Sequence, residues 1–406
     1  MAVNLSEPTQ LFAVPGVKLG VAAAGIKYSN RDDVLLMRFA EGSISSGVFT
    51  KNVFCAAPVQ VAKRHLQQSA PQALLINSGN ANAVTGEQGL QVAIDSCRMV
   101  AEKLHIKAEE VLPFSTGVIG EQLPMSALQQ GIEKASVSLD ENRWLPAAKS
   151  IMTTDTVPKA ISRKIKLAGS DVTITGIAKG SGMICPDMAT MLAYVVTDAC
   201  ISQSLLDKFL KKIAGNSFNA ITVDGDTSTN DAFIITATQK ADHDIIDVAD
   251  SDDAKQLYTA LEEVSQLLAQ AIIRDGEGAT KFVEINVHGG ASQQICSAVV
   301  YSLAHSPLVK TAFFASDPNW GRLLMAIGNA ATDELDASSI SVSVNQLAIV
   351  TLGQPDANYT EAKGQAIFNE SELVVDVKLG DSSYKQTIWT TDLSHDYVSI
   401  NADYRS

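Results

Sequence analysis

No stretch of the 406-residue chain approaches the roughly 18 consecutive apolar residues that a membrane span needs. The N-terminus, Met-Ala-Val-Asn-Leu-Ser-Glu, lacks both the basic start and the apolar stretch of a signal peptide, so a soluble protein with no membrane partner is expected. Cysteine is scarce: Cys55, Cys97, Cys185, Cys200 and Cys296 are odd in number and never spaced CxxC, which argues against a disulfide framework or a zinc site and fits a reducing cytoplasm. The six histidines are dispersed without ligand spacing, and the chain has no HExxH helix, no Gly-x-Ser-x-Gly elbow and no P-loop. Runs of Lys and Arg are missing too, and with a net charge of −14 a phosphate backbone would be repelled, so nucleic acid is not an expected partner. Repeats, low-complexity segments and Pro/Ser-rich linkers are absent.

A hydrophobic content of 46% is normal for a globular enzyme, and the length suits two cores or one large layered domain. Residues 33–40 (DVLLMRFA) and 73–80 (ALLINSGN) are short apolar runs bounded by turn residues and read as strands. Thr85-Gly86-Glu87-Gln88 has capping-box spacing, and Leu90, Ala93, Cys97, Val100, Ala101 and Leu104 then recur at helical intervals, which predicts a helix over about 87–105. Phe114 to Gly120, rich in small and hydroxyl residues, reads as a loop. A strand is predicted over 171–178, a helix from Ser204 to Gly215, a helix over 261–274 and a strand over 282–287. The alternating β-branched residues of 339–350, 372–379 and 386–402 predict mostly strands.

Between these elements lie polar stretches that look ordinary one at a time. Ile151-Met152-Thr153-Thr154-Asp155-Thr156 is a capping-type turn, and Pro158 marks an extended exit from it. Asn219 to Asp231 (NAITVDGDTSTND) runs from a strand into an acidic loop; its three aspartates suggest a divalent cation, but the spacing is not that of an EF-hand and the terminal glutamate is lacking, so no metal is expected. Glu277 stands between Gly276 and Gly278. Ala315 to Arg322 (ASDPNWGR) reads as a loop and helix start with Asp317 or Asn319 near the cap. Finally, Lys179 to Leu192 (KGSGMICPDMATML) passes from a glycine-rich turn into an apolar run, placing Thr190 at the start of a buried strand. A lone threonine there would be an ordinary β-branched strand residue.

Taken together, these stretches resemble, in order and along essentially the whole chain, the motifs of the ornithine acetyltransferases (bifunctional glutamate N-acetyltransferases) of arginine biosynthesis. The departures at the cleavage motif are Cys185 and Asp187, both upstream of the threonine. The resemblance implies a layered α/β/β/α fold and self-cleavage between Ala189 and Thr190, giving fragments 1–189 and 190–406, with two copies of each in a heterotetramer. It implies that Thr190 is the nucleophile, that Thr116 and Gly117 form the oxyanion hole, and that Thr153, Lys179, Glu277, Asn401 and Ser406 bind substrate. Thr154 and Thr156 are close competitors for the role given to Thr153, and Ser406 stands where the family often has threonine.

The implied reaction moves acetyl from N-acetylornithine to glutamate through an acetyl-threonine, with no cofactor; whether acetyl-CoA also donates is left open. The new α-amine of Thr190, with a pKa near about 8, would serve as its own base. A related N-terminal-nucleophile amidase or aminopeptidase, and a binding protein that has lost catalysis, are the alternatives.

Overall fold

A computed structural model describes residues 2–185, 191–330 and 334–403. The fold is a mixed α/β arrangement of three sheets in two compact units, which are taken in turn. No helix among the described residues is long and apolar enough to cross a membrane.

The larger unit holds the described residues of 7–219 and 226–272. Its first sheet runs Val17–Ala22, Val34–Phe39, Ala73–Asn80, Val111–Val118, the last pair parallel and the others antiparallel. Leu35, Met37, Phe39, Leu74, Ile76 and Phe114 point to one face, and Val34, Leu36, Ala73, Leu75 and Val111 to the other. Both faces are buried, which is why these strands read as unbroken apolar runs.

The outer face is covered by helices Ala57–Gln68, Gly86–Leu104 and Met125–Val137. The inner face packs on a second sheet, ordered Ile44–Phe49, Ala232–Ala237, Leu192–Thr197, Ser170–Lys179, Lys159–Leu167. Ile177, Tyr194, Val196 and Ile234 meet the first sheet there, and the Phe114 and Tyr194 rings lie edge to face at 5.3 Å. Helices Gln203–Gly215 and Asp252–Arg274 belong to the second sheet: the Phe209 and Tyr258 rings join them at 5.2 Å, and Leu268 reaches the backbone of Gly176. The layers of this unit are therefore α, β, β, α.

In the second sheet the strands are interleaved in chain order. Strands 192–197 and 232–237 lie between 44–49 on one side and 170–179 on the other, so later chain is inserted among earlier chain.

The smaller unit holds the described residues of 1–6, 220–225 and 273–406. Its seven-stranded sheet runs Gln354–Pro355, Leu347–Thr351, Ser341–Val344, Glu372–Lys378, Phe282–Gly290, Tyr384–Thr391, Ile221–Thr222. Val283, Ile285, Val287 and Ile388 form a core with Val299, Leu303, Val309, Phe313 and Leu323 of helices Gln293–Ala304, Pro307–Phe314 and Trp320–Gly328. The alternate residues make a polar ladder on the opposite face. Trp389 Nε1 donates to Glu284 Oε2 at 2.9 Å, Asn286 Nδ2 to Glu284 Oε1 at 3.0 Å and to Asp376 Oδ1 at 3.1 Å, and Thr387 Oγ1 to Asn286 Oδ1 at 2.7 Å.

Several local expectations need correction. Phe114 to Val118 is strand, because it completes the parallel pairing with 73–80 that sequence spacing alone cannot reveal. Thr85 stands at the cap of its helix but does not cap it; its hydroxyl donates to Asn82 Oδ1 at 2.8 Å. The strand after Asn219 is only Ile221–Thr222. The segment 386–402 ends in a helix, His395–Ala402, because the Ser394 hydroxyl accepts the Tyr397 N–H at 3.3 Å and starts a turn that β-branched content had masked. Of the two cap candidates Asp317 and Asn319, it is Asn319 that caps 320–328, accepting the Arg322 N–H.

Candidate active site

In the larger unit, parallel pairing sets Ser78 beside Thr116 and Gly79 beside Gly117. The contact is so close that a Cβ on Gly117 would lie 2.3 Å from the carbonyl carbon of Gly79, and Gly117 has φ +132, so only glycine fits. Its N–H therefore has no side chain of its own to shield it.

Lys179 ends the strand 170–179, and its ammonium donates to Thr116 Oγ1 at 3.1 Å; the two residues are only 6% and 8% exposed. The residue after it, Gly180, donates its N–H to Asp155 Oδ1 at 2.9 Å. Asp155 also takes the Thr153 N–H on Oδ2 at 3.0 Å and pairs with Lys159 at 2.6 Å, both side chains being wholly buried. Burial alone would raise this carboxyl, but the charges of Lys159 and Lys179 and the Gly180 N–H outweigh it and hold the group well below the usual carboxylate range. One carboxylate thus fixes both the Thr153 turn and the start of the glycine-rich stretch. Among the competing threonines, Thr156 is exposed and Thr153 is half-buried with its amide held.

The acidic loop braces this region. Asn230 Nδ2 donates to Ala81 O at 2.7 Å and Ser115 O at 2.9 Å, while Thr229 Oγ1 donates to Asn230 Oδ1 at 2.6 Å. Arg31 donates to Met152 O and, at 3.3 Å, to the Ser78 hydroxyl. Asp231 accepts the Met191 N–H on Oδ1 at 3.0 Å, while its buried Oδ2 has no hydrogen-bond partner among the described residues. Burial pushes this carboxyl well above its ordinary range, against the weaker pull of the Met191 amide, the Lys179 charge and the Ser228 hydroxyl.

In the smaller unit, Glu277 is 7% exposed and accepts from Asn401 Nδ2 at 2.7 Å. Its loop is pinned by Asp392, whose carboxylate takes the Thr280 hydroxyl and the amides of Thr280 (2.8 Å) and Lys281 (3.1 Å). Ser394 Oγ donates to Gly278 O at 2.7 Å, and a Cβ on Gly278, at φ +68, would fall 2.5 Å from that same hydroxyl. Tyr397 OH donates to Asp224 Oδ2 at 3.2 Å. Beneath them Lys310 is fully buried; desolvation lowers it to about 8, opposed by the charges of Asp392 and Asp224. No group of three His, Cys, Asp or Glu side chains disposed to hold a metal occurs among the described residues.

Of the residues singled out in the sequence, Thr116, Gly117, Thr153 and Lys179 cluster in the larger unit, and Glu277 pairs with Asn401 in the smaller. Ala189, Thr190 and Ser406 lie outside the described residues. Asp155, Asn230, Asp231 and Arg31 were not singled out individually. The only sequence signal for Asp155 is a lysine four residues on, a spacing that does not by itself distinguish a buried pair from a surface one.

The chain is similar to known proteins along its whole length. The arginine biosynthesis bifunctional protein ArgJ of Pseudomonas fluorescens (strain Pf0-1) is 50% identical over 406 residues, covering 100% of both chains. That of Methylococcus capsulatus (strain ATCC 33009 / NCIMB 11132 / Bath) is 51% identical over 403 residues, 99% of this chain and 98% of the other. Among solved structures, ArgJ from Bacillus halodurans is 35% identical, with a TM-score of 0.49, over 52% of this chain and 97% of that one. Ornithine acetyltransferase complexed with ornithine, from Mycobacterium tuberculosis, is 30% identical, with a TM-score of 0.38, over 43% of this chain and 93% of that one. The ArgJ family profile matches residues 18–406, and with identity of this order sustained from end to end the chain belongs to the ArgJ family.

Proposed function

We propose that this protein transfers the acetyl group of N-acetylornithine to glutamate, giving ornithine and N-acetylglutamate, through an acetyl ester on Thr190. The chain first cuts itself. The Thr190 hydroxyl attacks the Ala189 carbonyl carbon, its proton passes to the departing amide nitrogen, and water hydrolyses the resulting ester to leave fragments 1–189 and 190–406. The freed α-amine, with a pKa near about 8, then takes the proton of its own hydroxyl, which needs no histidine and no cofactor.

In the transfer itself, attack on the acetyl carbonyl places a negative oxygen where Thr116 and Gly117 donate to it. Collapse returns the proton to the leaving ornithine amine, and the amine of glutamate reverses the sequence. The observation that carries this reading is the Thr116–Gly117 pair itself, a buried hydroxyl beside the N–H of a position that admits no side chain of its own. Thr153, Lys179, Glu277, Asn401 and Ser406 are assigned to substrate, Glu277 to the side-chain ammonium of ornithine. Acetyl-CoA is a second donor in this reading, supported by the word bifunctional in the relatives' names. Two copies of each fragment form the assembly, in the cytoplasm.

The test is an assay with each donor separately, with and without glutamate, alongside intact-mass measurement. Wild type should be two fragments and Thr190→Ala one, and product should be N-acetylglutamate. Release of free acetate at a rate indifferent to glutamate would instead identify a hydrolase, and an uncut mature chain would remove the mechanism.

A further inference from the structure

The contact between Lys179 and Thr116 carries more than the assignment of Lys179 to substrate. An ammonium has three donors and no acceptor, whereas a hydroxyl has one donor and two lone pairs. At 3.1 Å the direction of the bond is therefore fixed: Lys179 donates and Thr116 Oγ1 accepts. The Thr116 hydroxyl makes no other hydrogen bond among the described residues, so its own proton is turned away from the lysine and is available to a further acceptor.

Accepting a charge-assisted bond polarises a hydroxyl and makes it a stronger donor, and the gain is larger where water is excluded, as it is for both these side chains. The charge is in turn sustained at this depth by Asp155, which lies close enough to Lys179 for each to favour the other's ionised form and which also holds the Gly180 amide at 2.9 Å.

We infer that Lys179 is a positioning residue for the oxyanion hole: it orients and polarises the Thr116 hydroxyl, so that the hole is driven by a cation one bond removed. This rests on Thr116 being an oxyanion donor. It extends the role of Lys179 to self-cleavage, a step in which no substrate carboxylate takes part.

Self-cleavage supplies the discriminating experiment. Full-length chain is made by cell-free synthesis without amino-acid substrate analogues, and conversion of precursor into two fragments is followed over time for wild type, Thr116→Ala, Lys179→Met, Lys179→Gln and the double variant Thr116→Ala/Lys179→Met. Soluble precursor and its thermal melt are recorded for each, and Lys179→Gln keeps a neutral donor at the same reach should the methionine variant fold poorly. Lys179→Met is expected to slow cleavage roughly tenfold or more, the loss of one charge-assisted hydrogen bond. Lys179→Gln should fall between it and wild type, and the double variant should be no slower than Thr116→Ala. In acetyl transfer, kcat of Lys179→Met should fall as well as KM rise.

Slow cleavage in Thr116→Ala combined with wild-type cleavage in either Lys179 variant, or with losses that multiply in the double variant, would overturn the inference and leave the oxyanion reading standing. Normal cleavage and turnover in Thr116→Ala would instead remove the oxyanion reading, and the inference with it.

Discussion

Asn401 Nδ2 donates to Glu277 Oε2 at 2.7 Å, tying the helix 395–402 to the glycine-flanked loop and leaving Oε1 without a donor among the described residues. A carboxylate so placed has one oxygen committed to the protein and one open to a cation. Glu277→Gln retains an acceptor for Asn401 and loses the charge. Its kcat/KM for N-acetylornithine should fall roughly tenfold to a hundredfold, as for a charge-assisted contact of about 1.5–3 kcal/mol, while glutamate as acceptor suffers less. Steady-state kinetics on both half-reactions checks this; equal losses would show that Glu277 only shapes the loop.

The wholly buried Asp155–Lys159 pair should respond asymmetrically to mutation. Asp155→Ala strands a buried ammonium and should cost about 3–5 kcal/mol in urea unfolding, whereas replacing both residues by apolar ones of similar volume should recover most of that. The folded carboxyl lies below its ordinary value of 3.8, so its contribution is complete above that value and is lost as pH falls below it. Acid titration of the double replacement should show a shallower loss than wild type.

Asp231 has the opposite sign. Its folded carboxyl stays protonated above the ordinary value of 3.8, so folding takes up a proton and stability declines as pH rises from there toward the folded value. Asp231→Asn keeps an acceptor for the Met191 amide and removes the titration. Its stability relative to wild type should climb with pH above the ordinary carboxylate value, by up to about 1.4 kcal/mol per unit for one proton, read from urea midpoints. A constant difference would mean that Asp231 is ionised in the folded protein.

Lys310 donates to Thr390 Oγ1 at 3.0 Å and Thr391 O at 2.5 Å, yet burial lowers it from 10.5 to about 8. Its desolvation penalty is full below about 8 and is relieved as pH rises from there to 10.5. Wild type should therefore gain stability over that interval, and Lys310→Met should lack the gain; guanidinium melts across it provide the measurement.

Periodicity served the fold well wherever burial is one-sided or complete along a single element. Strand 73–80 and helix 86–104 stand where their apolar spacing puts them. It failed where the decisive partner is remote in sequence. Val111–Val118 is strand because of 73–80, and 395–402 is helix because of a single hydroxyl at its start. The site divides the same way. Thr116, Lys179 and Glu277 stood out through motif resemblance, but Asp155 acquires its meaning only when residues 153, 159 and 180 converge on its two oxygens.

The order of strands in the second sheet of the larger unit bears on the life history of the molecule. Strands 192–197 and 232–237 are bordered on both sides by strands that precede residue 189. A scission before Thr190 would cut the thread without loosening the weave: the two pieces stay laced by backbone hydrogen bonds along both borders. Before the cut, bringing those strands together is an intramolecular event; afterwards, a denatured molecule must find its other half by diffusion. The mature protein would then depend on concentration to regain what the nascent chain reached alone, and its endurance would be set by how slowly it comes apart.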